Sequence, residues 1–170
     1  MSGRVIALSD SHGNPERLAQ AIRQALKKGK IQTAVFLGDG TEDFDQVRPL
    51  LARNGIRALA VCGNNDWSST DPQEITFEVG GTTFYGCHGH TRYVRLRLDS
   101  LCYAAQERGA QVALHGHTHV ARITDFNGMP IICPGAVCER GKFSIAYADI
   151  TVQAPGFVSA ELVHLEEEAE

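Results

Sequence analysis

Residues able to do chemistry gather in five short polar segments: Asp10-Ser11-His12, Gly38-Asp39-Gly40, Gly63-Asn64-Asn65-Asp66, His88-Gly89-His90 and His115-Gly116-His117-Thr118-His119. Six of the seven histidines lie in them, and only His164 stands apart. Random placement of seven histidines would give roughly 0.3 His-x-His pairs, whereas the chain has three, so the clustering carries information. Imidazole nitrogens with carboxylate and amide oxygens make a mixed donor set that suits manganese, iron, cobalt, nickel or zinc, and not calcium, which takes oxygen alone. The donors suffice for two ions. Asp39, between the other segments in the chain, is the natural bridge; two cations about 3.5 to 4 Å apart can hold a hydroxide at neutral pH and clamp phosphoryl oxygens.

Each segment follows an apolar run, which indicates the elements that must position it. Arg4 to Leu8 reads as a strand, and a helix follows from Pro15, with Asn14 as N-cap, Leu18, Ala21, Ile22, Ala25 and Leu26 as its apolar stripe, and Gly29 past its end. Thr33 to Leu37 is a second strand, Phe44 to Arg53 a weaker helix interrupted by Pro49, and Ala58 to Val61 a third strand. Ile75 to Val79 and Thr82 to Cys87 flank Gly80-Gly81 as a hairpin, and a helix over Asp99 to Arg108 leads to the strand Val112 to Leu114. Val120 to Phe126 with Met129 to Cys133, and Ser144 to Ile150 with Phe157 to Leu165, read as further strand pairs. Alternating strands and helices argue for a parallel or mixed sheet covered by helices, with loops at the strand carboxyl ends converging on one crevice.

The ordered set Asp10-x-His12, Gly38-Asp39, Gly63-Asn64, His88-Gly89-His90 and Gly116-His117-x-His119 resembles the calcineurin-like metallophosphoesterases, in the small single-domain branch of YfcE-type phosphodiesterases. The resemblance spans about residues 4 to 150. It implies an α/β chain (α+β-like) folded as a two-sheet mixed β-sandwich flanked by helices. It also implies two divalent transition-metal ions, manganese first among the candidates and iron, nickel, cobalt or zinc as alternatives. One would be held by Asp10, His12, Asp39 and His119, the other by Asp39, Asn64, His88 and His117, with Asp39, Asn64 and His90 nearest the chemistry. The expected activity is hydrolysis of small phosphodiesters by attack of a metal-bridging hydroxide. Many relatives carry Gly-Asn-His, whose histidine assists the leaving group; here Asn65 stands in that place, and a neutral amide cannot serve as a general acid. Cys133-Pro134-Gly135-Ala136 matches a structural Asn-Pro-Gly-Ser turn imperfectly and reads as scaffold, with Arg140 downstream as an anion contact to be examined.

Other features read as ordinary structure. Asn65-Asp66 suits a turn, His115 a core or supporting position, Trp67 the edge of the core, and Arg92, Arg95 and Arg97 a solvated face that could also collect a phosphate. Five scattered cysteines without Cys-x-x-Cys read as buried thiols. The 170 residues make a single domain over 1–165 with an acidic tail at 166–170. A net charge of −4 argues against gripping long nucleic acid, and the absence of a long apolar run argues against a membrane segment. A cytoplasmic protein is expected, with a small phosphoester substrate and homo-oligomerisation open. The rival is a non-catalytic interaction scaffold of the same fold, as in the retromer subunit; the seven filled ligand positions favour the enzyme. A metallo-β-lactamase-type hydrolase is the weaker second rival, because Val120 and Ala121 follow His119 where that signature needs Asp-His.

Overall fold

A computed structural model describes residues 2–138 and 146–166. Arg140, the beginning of the strand expected from Ser144, and most of the acidic tail lie outside them. Ten strands form two five-stranded sheets. The first sheet has the order β10 (Phe157–His164), β9 (Ala146–Ala154), β1 (Gly3–Leu8), β2 (Thr33–Phe36), β3 (Arg57–Ala60). In it β1, β2 and β3 are parallel, while β9 runs antiparallel to β1 and to β10. The second has the order β4 (Glu74–Val79), β5 (Thr82–Cys87), β6 (Val112–His115), β8 (Met129–Cys133), β7 (Arg122–Phe126). Here β5, β6 and β8 are parallel and the edge strands antiparallel. The two-sheet mixed sandwich flanked by helices is thus the observed architecture.

Period-two alternation builds its layers. On β1, Val5 and Ala7 face the second sheet and pack with Leu37, Phe84, Leu114 and Ile150, whereas Ile6 and Leu8 face the helices α1 (Pro15–Leu26) and α2 (Thr41–Arg53). Leu18, Ile22 and Ala25 of α1 and Phe44, Val47 and Leu51 of α2 close that outer layer. A third cluster, with Tyr85, Ile131 and Ala113 beneath Leu101, Cys102 and Ala105, seats α3 (Asp99–Glu107) on the other side. Both faces of each central strand are therefore buried, which explains why these strands read as continuous apolar runs.

Several local expectations change. Asn14 precedes α1 but makes no side-chain cap; its Nδ2 donates to the Ser11 carbonyl at 3.0 Å instead. The helix α2 begins three residues earlier than its apolar pattern and continues through Pro49. Residues 41–43 are polar, and their place in the helix is set by a cap from another loop. The chain crosses the sandwich's edge after Cys87 through a 3-10 turn at His90–Arg92, which periodicity gave no reason to expect. No helix of the described residues is long and apolar enough to cross a membrane.

Candidate metal centre

The carboxyl ends of β1, β2, β3, β5 and β6 open on one edge of the sandwich, and each delivers one polar segment there. Five of the expected ligands, Asp10, His12, Asp39, His117 and His119, have positive φ between 42° and 71°. A non-glycine residue in this region costs about 1 to 3 kcal/mol, a cost tolerated where the surroundings hold it and function requires it. Close approach also dictates the neighbours. A Cβ on Gly38 (φ +97°) would lie 2.7 Å from the Gly63 nitrogen and 2.8 Å from His88 Nδ1, so only glycine lets these loops meet.

The side chains converge accordingly. Asp39 Oδ2 lies 3.3 Å from His88 Nε2 and 3.8 Å from His12 Nε2, so one carboxylate faces both groups of donors. Asp10 Oδ1 lies 3.2 Å from His119 Nε2, 3.6 Å from His12 Nε2 and 3.9 Å from His88 Nε2. His117 Nδ1 is 3.2 Å from His88 Nε2, and His12 Nε2 is 3.3 Å from His119 Nε2. The donor atoms of Asp39, His88 and His117 lie within 4.8 Å of one another, as do those of Asp10, His12 and Asp39. Asn64 is exposed and its side chain makes no hydrogen bond among the described residues. His90 flanks the cluster, its ring 5.4 Å from that of His88, with Nδ1 buried and without a partner among the described residues.

Supporting contacts aim these groups. Ser9 Oγ and the His117 backbone N–H both donate to Asp10 Oδ2, leaving Oδ1 directed at the histidines. His88 Nδ1 meets the Leu37 carbonyl at 2.6 Å, which fixes the tautomer that presents Nε2 to the site. Arg95 Nε approaches His117 Nε2 at 3.2 Å and its Nη2 donates to the His117 carbonyl, so Nδ1 is the nitrogen turned inward. Asp66 was legible only as a turn residue, yet its carboxylate accepts from the backbone N–H groups of Asp39, Gly40, Thr41 and Gly63 at 2.7 to 3.1 Å. It caps α2 from across a loop and ties the Asp39 loop to the Asn64 loop. Asp43 does the same for the first loop, accepting from Ser11 Oγ and the Gly13 N–H.

The electrostatics match a cation site. Burial pushes Asp10 toward the neutral acid, but His119, His12, His88 and Ser9 outweigh it and hold the carboxyl well below its usual range. Burial likewise opposes ionisation of Asp39, and interactions with His88 and Asn65 bring it down to about 2. Burial, His88 and Arg95 lower His117 to about 4, keeping its imidazole neutral and able to ligate. Asp10 Oδ1 is fully enclosed and satisfied by no hydrogen bond of good geometry. An ionised, orphaned carboxylate oxygen among imidazole nitrogens is costly unless a cation completes it, and this donor chemistry fits a transition-metal ion.

The remaining sequence candidates divide. His115 is buried and its Nδ1 contacts the Gly116 carbonyl at 2.8 Å, a supporting place and not a ligand position. Arg92 faces away, paired with Glu74 at 3.3 Å, and so does not join Arg95 beside the donors. Trp67 does not belong to the core edge: it is 91% exposed and borders a concavity of about 330 Å³ with His12, Asp39 and Asn65. Its position on a loop beyond β3 leaves no packed layer to receive it. A second cavity of about 480 Å³ includes Arg95, Arg97, His115, Thr118 and Arg122. Arg122, which no sequence pattern marked, makes no ion pair among the described residues.

Known proteins resemble this chain in sequence and in fold. A curated relative, the probable metallophosphoesterase YsnB of Bacillus subtilis (strain 168), is 26% identical over 150 residues, covering 88% of this chain and 84% of that protein. A predicted phosphoesterase from Streptococcus pneumoniae TIGR4 has the same fold at a TM-score of 0.74 and 23% identity, with 96% of this chain and 99% of that one covered. An archaeal phosphodiesterase (TM-score 0.70, 18% identity, 94% and 99% covered) and zinc-complexed Vps29 from Entamoeba histolytica (0.70, 19%, 96% and 99%) share it too. Residues 4–154 match the family model described as the calcineurin-like phosphoesterase superfamily domain, and the chain belongs to that superfamily.

Proposed function

We propose that this protein hydrolyses small phosphodiesters with two divalent transition-metal ions, one held by Asp10, His12, Asp39 and His119 and the other by Asp39, Asn64, His88 and His117. The observation that carries the reading is the position of Asp39 Oδ2 between His88 Nε2 and His12 Nε2, which makes this carboxylate the shared member of two donor groups. When bound, such a metal pair supplies Lewis-acid chemistry, generating the water-derived nucleophile and neutralising charge on phosphoryl oxygens. The chain's own residues orient the substrate. His90 borders the donors, and the cavity lined by Arg95, Arg97 and Arg122 offers positive charge beside His117 for an anionic ester. The apolar walls Val94, Leu96 and Val120 suit the organic substituent of a diester.

A poor alkoxide leaving group needs a proton, and general acid help is worth about 10²- to 10⁴-fold. Asn65 cannot supply it, which supports a preference for activated diesters over alkyl monoesters. All seven expected ligand positions are filled, which supports the enzyme reading over a partner-binding role. The test is kcat/KM for an aryl diester, an aryl monoester and an alkyl monoester with manganese, zinc, cobalt or nickel added, in wild type and Asp39→Asn. The aryl diester should be the best substrate, and Asp39→Asn should lose most turnover while staying folded. Absence of turnover with every metal bound would sink the enzyme and leave the scaffold.

A further inference from the structure

One further donor lies beside the residues assigned to the first metal position. Sγ of Cys138, Nε2 or Nδ1 of His12 and a ring nitrogen of His119 all lie within 4.8 Å of one another. We propose that Cys138 is a metal ligand, joining Asp10, His12, Asp39 and His119 in a carboxylate, imidazole and thiolate donor set that selects zinc or ferrous iron over manganese at this position. The proposal rests on the metal-site reading above and deepens it.

Three observations support the assignment. The thiol is placed by the backbone that carries the ligand Asp10: the Cys138 N–H donates to the Asp10 carbonyl at 3.1 Å and the Val137 N–H to the Ser9 carbonyl at 3.0 Å. Arg17 Nη1 then ties the Cys138 carbonyl at 3.1 Å to α1. Second, the buried Asp10 Oδ1, without a hydrogen-bond partner among the described residues, lies 3.2 Å from Nε2 of His119, a member of that triad. Third, donors at about 2.0 to 2.3 Å from one ion lie roughly 3 to 4 Å from their neighbours. The 3.3 Å between His12 Nε2 and His119 Nε2 and the 3.6 Å between His12 Nε2 and Asp10 Oδ1 fall within that spacing.

Cys62 is half-buried like Cys138 but belongs to none of the donor groups among the described residues. Cys87 and Cys102 belong to the core cluster beneath α3, and Cys133 is buried on β8, whereas Cys138 is half-buried at the open edge. Binding is written as Cys–SH plus M²⁺ giving Cys–S–M plus a proton released to solvent, with no change of oxidation state. Soft thiolate favours zinc and iron, while carboxylate and water donors suit manganese, so the sulfur biases the site without altering the other ligands.

Cobalt(II) titrated into the metal-depleted full chain provides the test. Wild type should develop a near-ultraviolet thiolate-to-cobalt charge-transfer band that Cys138→Ser lacks and Cys62→Ser keeps. Zinc affinity should fall at least about 10-fold in Cys138→Ser, and manganese affinity less than about 3-fold. Two cobalt ions bound by wild type without a sulfur band would overturn the thiolate ligand and leave the phosphoesterase site standing. No cobalt bound at all would overturn both.

Discussion

Asn65 grips Asp39 with both of its donors: the backbone N–H meets Oδ1 and the side-chain Nδ2 meets Oδ2, each at 2.9 Å. The residue standing where many relatives have a histidine therefore orients the carboxylate shared by the two donor groups. Outer contacts of this kind are worth about 10- to 100-fold in metal affinity. Asn65→Ala should weaken binding of the second ion about 10-fold, read by calorimetric titration of zinc into metal-free protein. Unchanged affinity would show that the amide does not steady Asp39.

Asp66 accepts four backbone N–H groups from two loops and the start of α2. Replacing it with alanine leaves several donors unpaired, and hydrogen bonds to a charged group contribute about 1.5 to 3 kcal/mol each. Since water recovers part of the loss, Asp66→Ala should lower unfolding stability by about 2 to 4 kcal/mol in urea. Asp66→Asn should keep part of it. A loss below about 0.5 kcal/mol would rule out the cross-loop cap.

Two ions per chain are expected after reconstitution, because the donors divide into two groups that share Asp39. Ligands that bind only the folded state at 100 times their dissociation constant add about 2.7 kcal/mol. For a chain of this size that is roughly 5 to 10 °C in Tm for each ion bound. Chelation should remove the shift, and elemental analysis should find close to two ions. Saturation below one ion per chain would contradict the divided donor set.

Glu74 joins β4 to the second sheet's outer layer through Tyr85 Oη at 2.6 Å, Arg92 and Arg108. Burial opposes its ionisation, but the tyrosine and the two guanidinium groups outweigh it and hold its pKa below the ordinary 4.5. The folded state thus prefers the carboxylate: its contribution is complete above the unfolded pKa and is lost as pH falls through the folded one. Glu74→Gln should therefore flatten the acid side of the stability profile below about pH 4.5 and leave its slope above pH 6 unchanged. An identical acid limb in variant and wild type would remove Glu74 from acid unfolding.

Arg122 lines the cavity shared with Arg95 and Arg97 and makes no ion pair among the described residues. If that cavity receives the anionic diester, Arg122→Gln should raise KM about 3- to 10-fold with little change in kcat, and reduce the salt dependence of kcat/KM. A matching fall in kcat with unchanged KM would place Arg122 elsewhere in the reaction.

The sequence by itself determined the donor segments and the strands that carry them. Asp10, His12, Asp39, His88, His117 and His119, which the structure brings together, stood out in the sequence because they lie in polar loops immediately after apolar strands, and both signals are local. The hairpin at Gly80-Gly81 and the stripe of α1 were legible for the same reason. Tertiary structure alone decided the contacts between segments far apart in the chain. Asp66 lies 25 to 27 residues beyond the three N–H groups of the Asp39 loop that it accepts, so only the parallel pairing of β2 with β3 reveals it as a cap. Cys138 resembles any scattered cysteine until its backbone pairs with Asp10, and only the partners Glu74 and His117 tell Arg92 from Arg95. Local periodicity reports burial and backbone conformation; which donor meets which acceptor across loops depends on register and loop path, which no short window of residues contains.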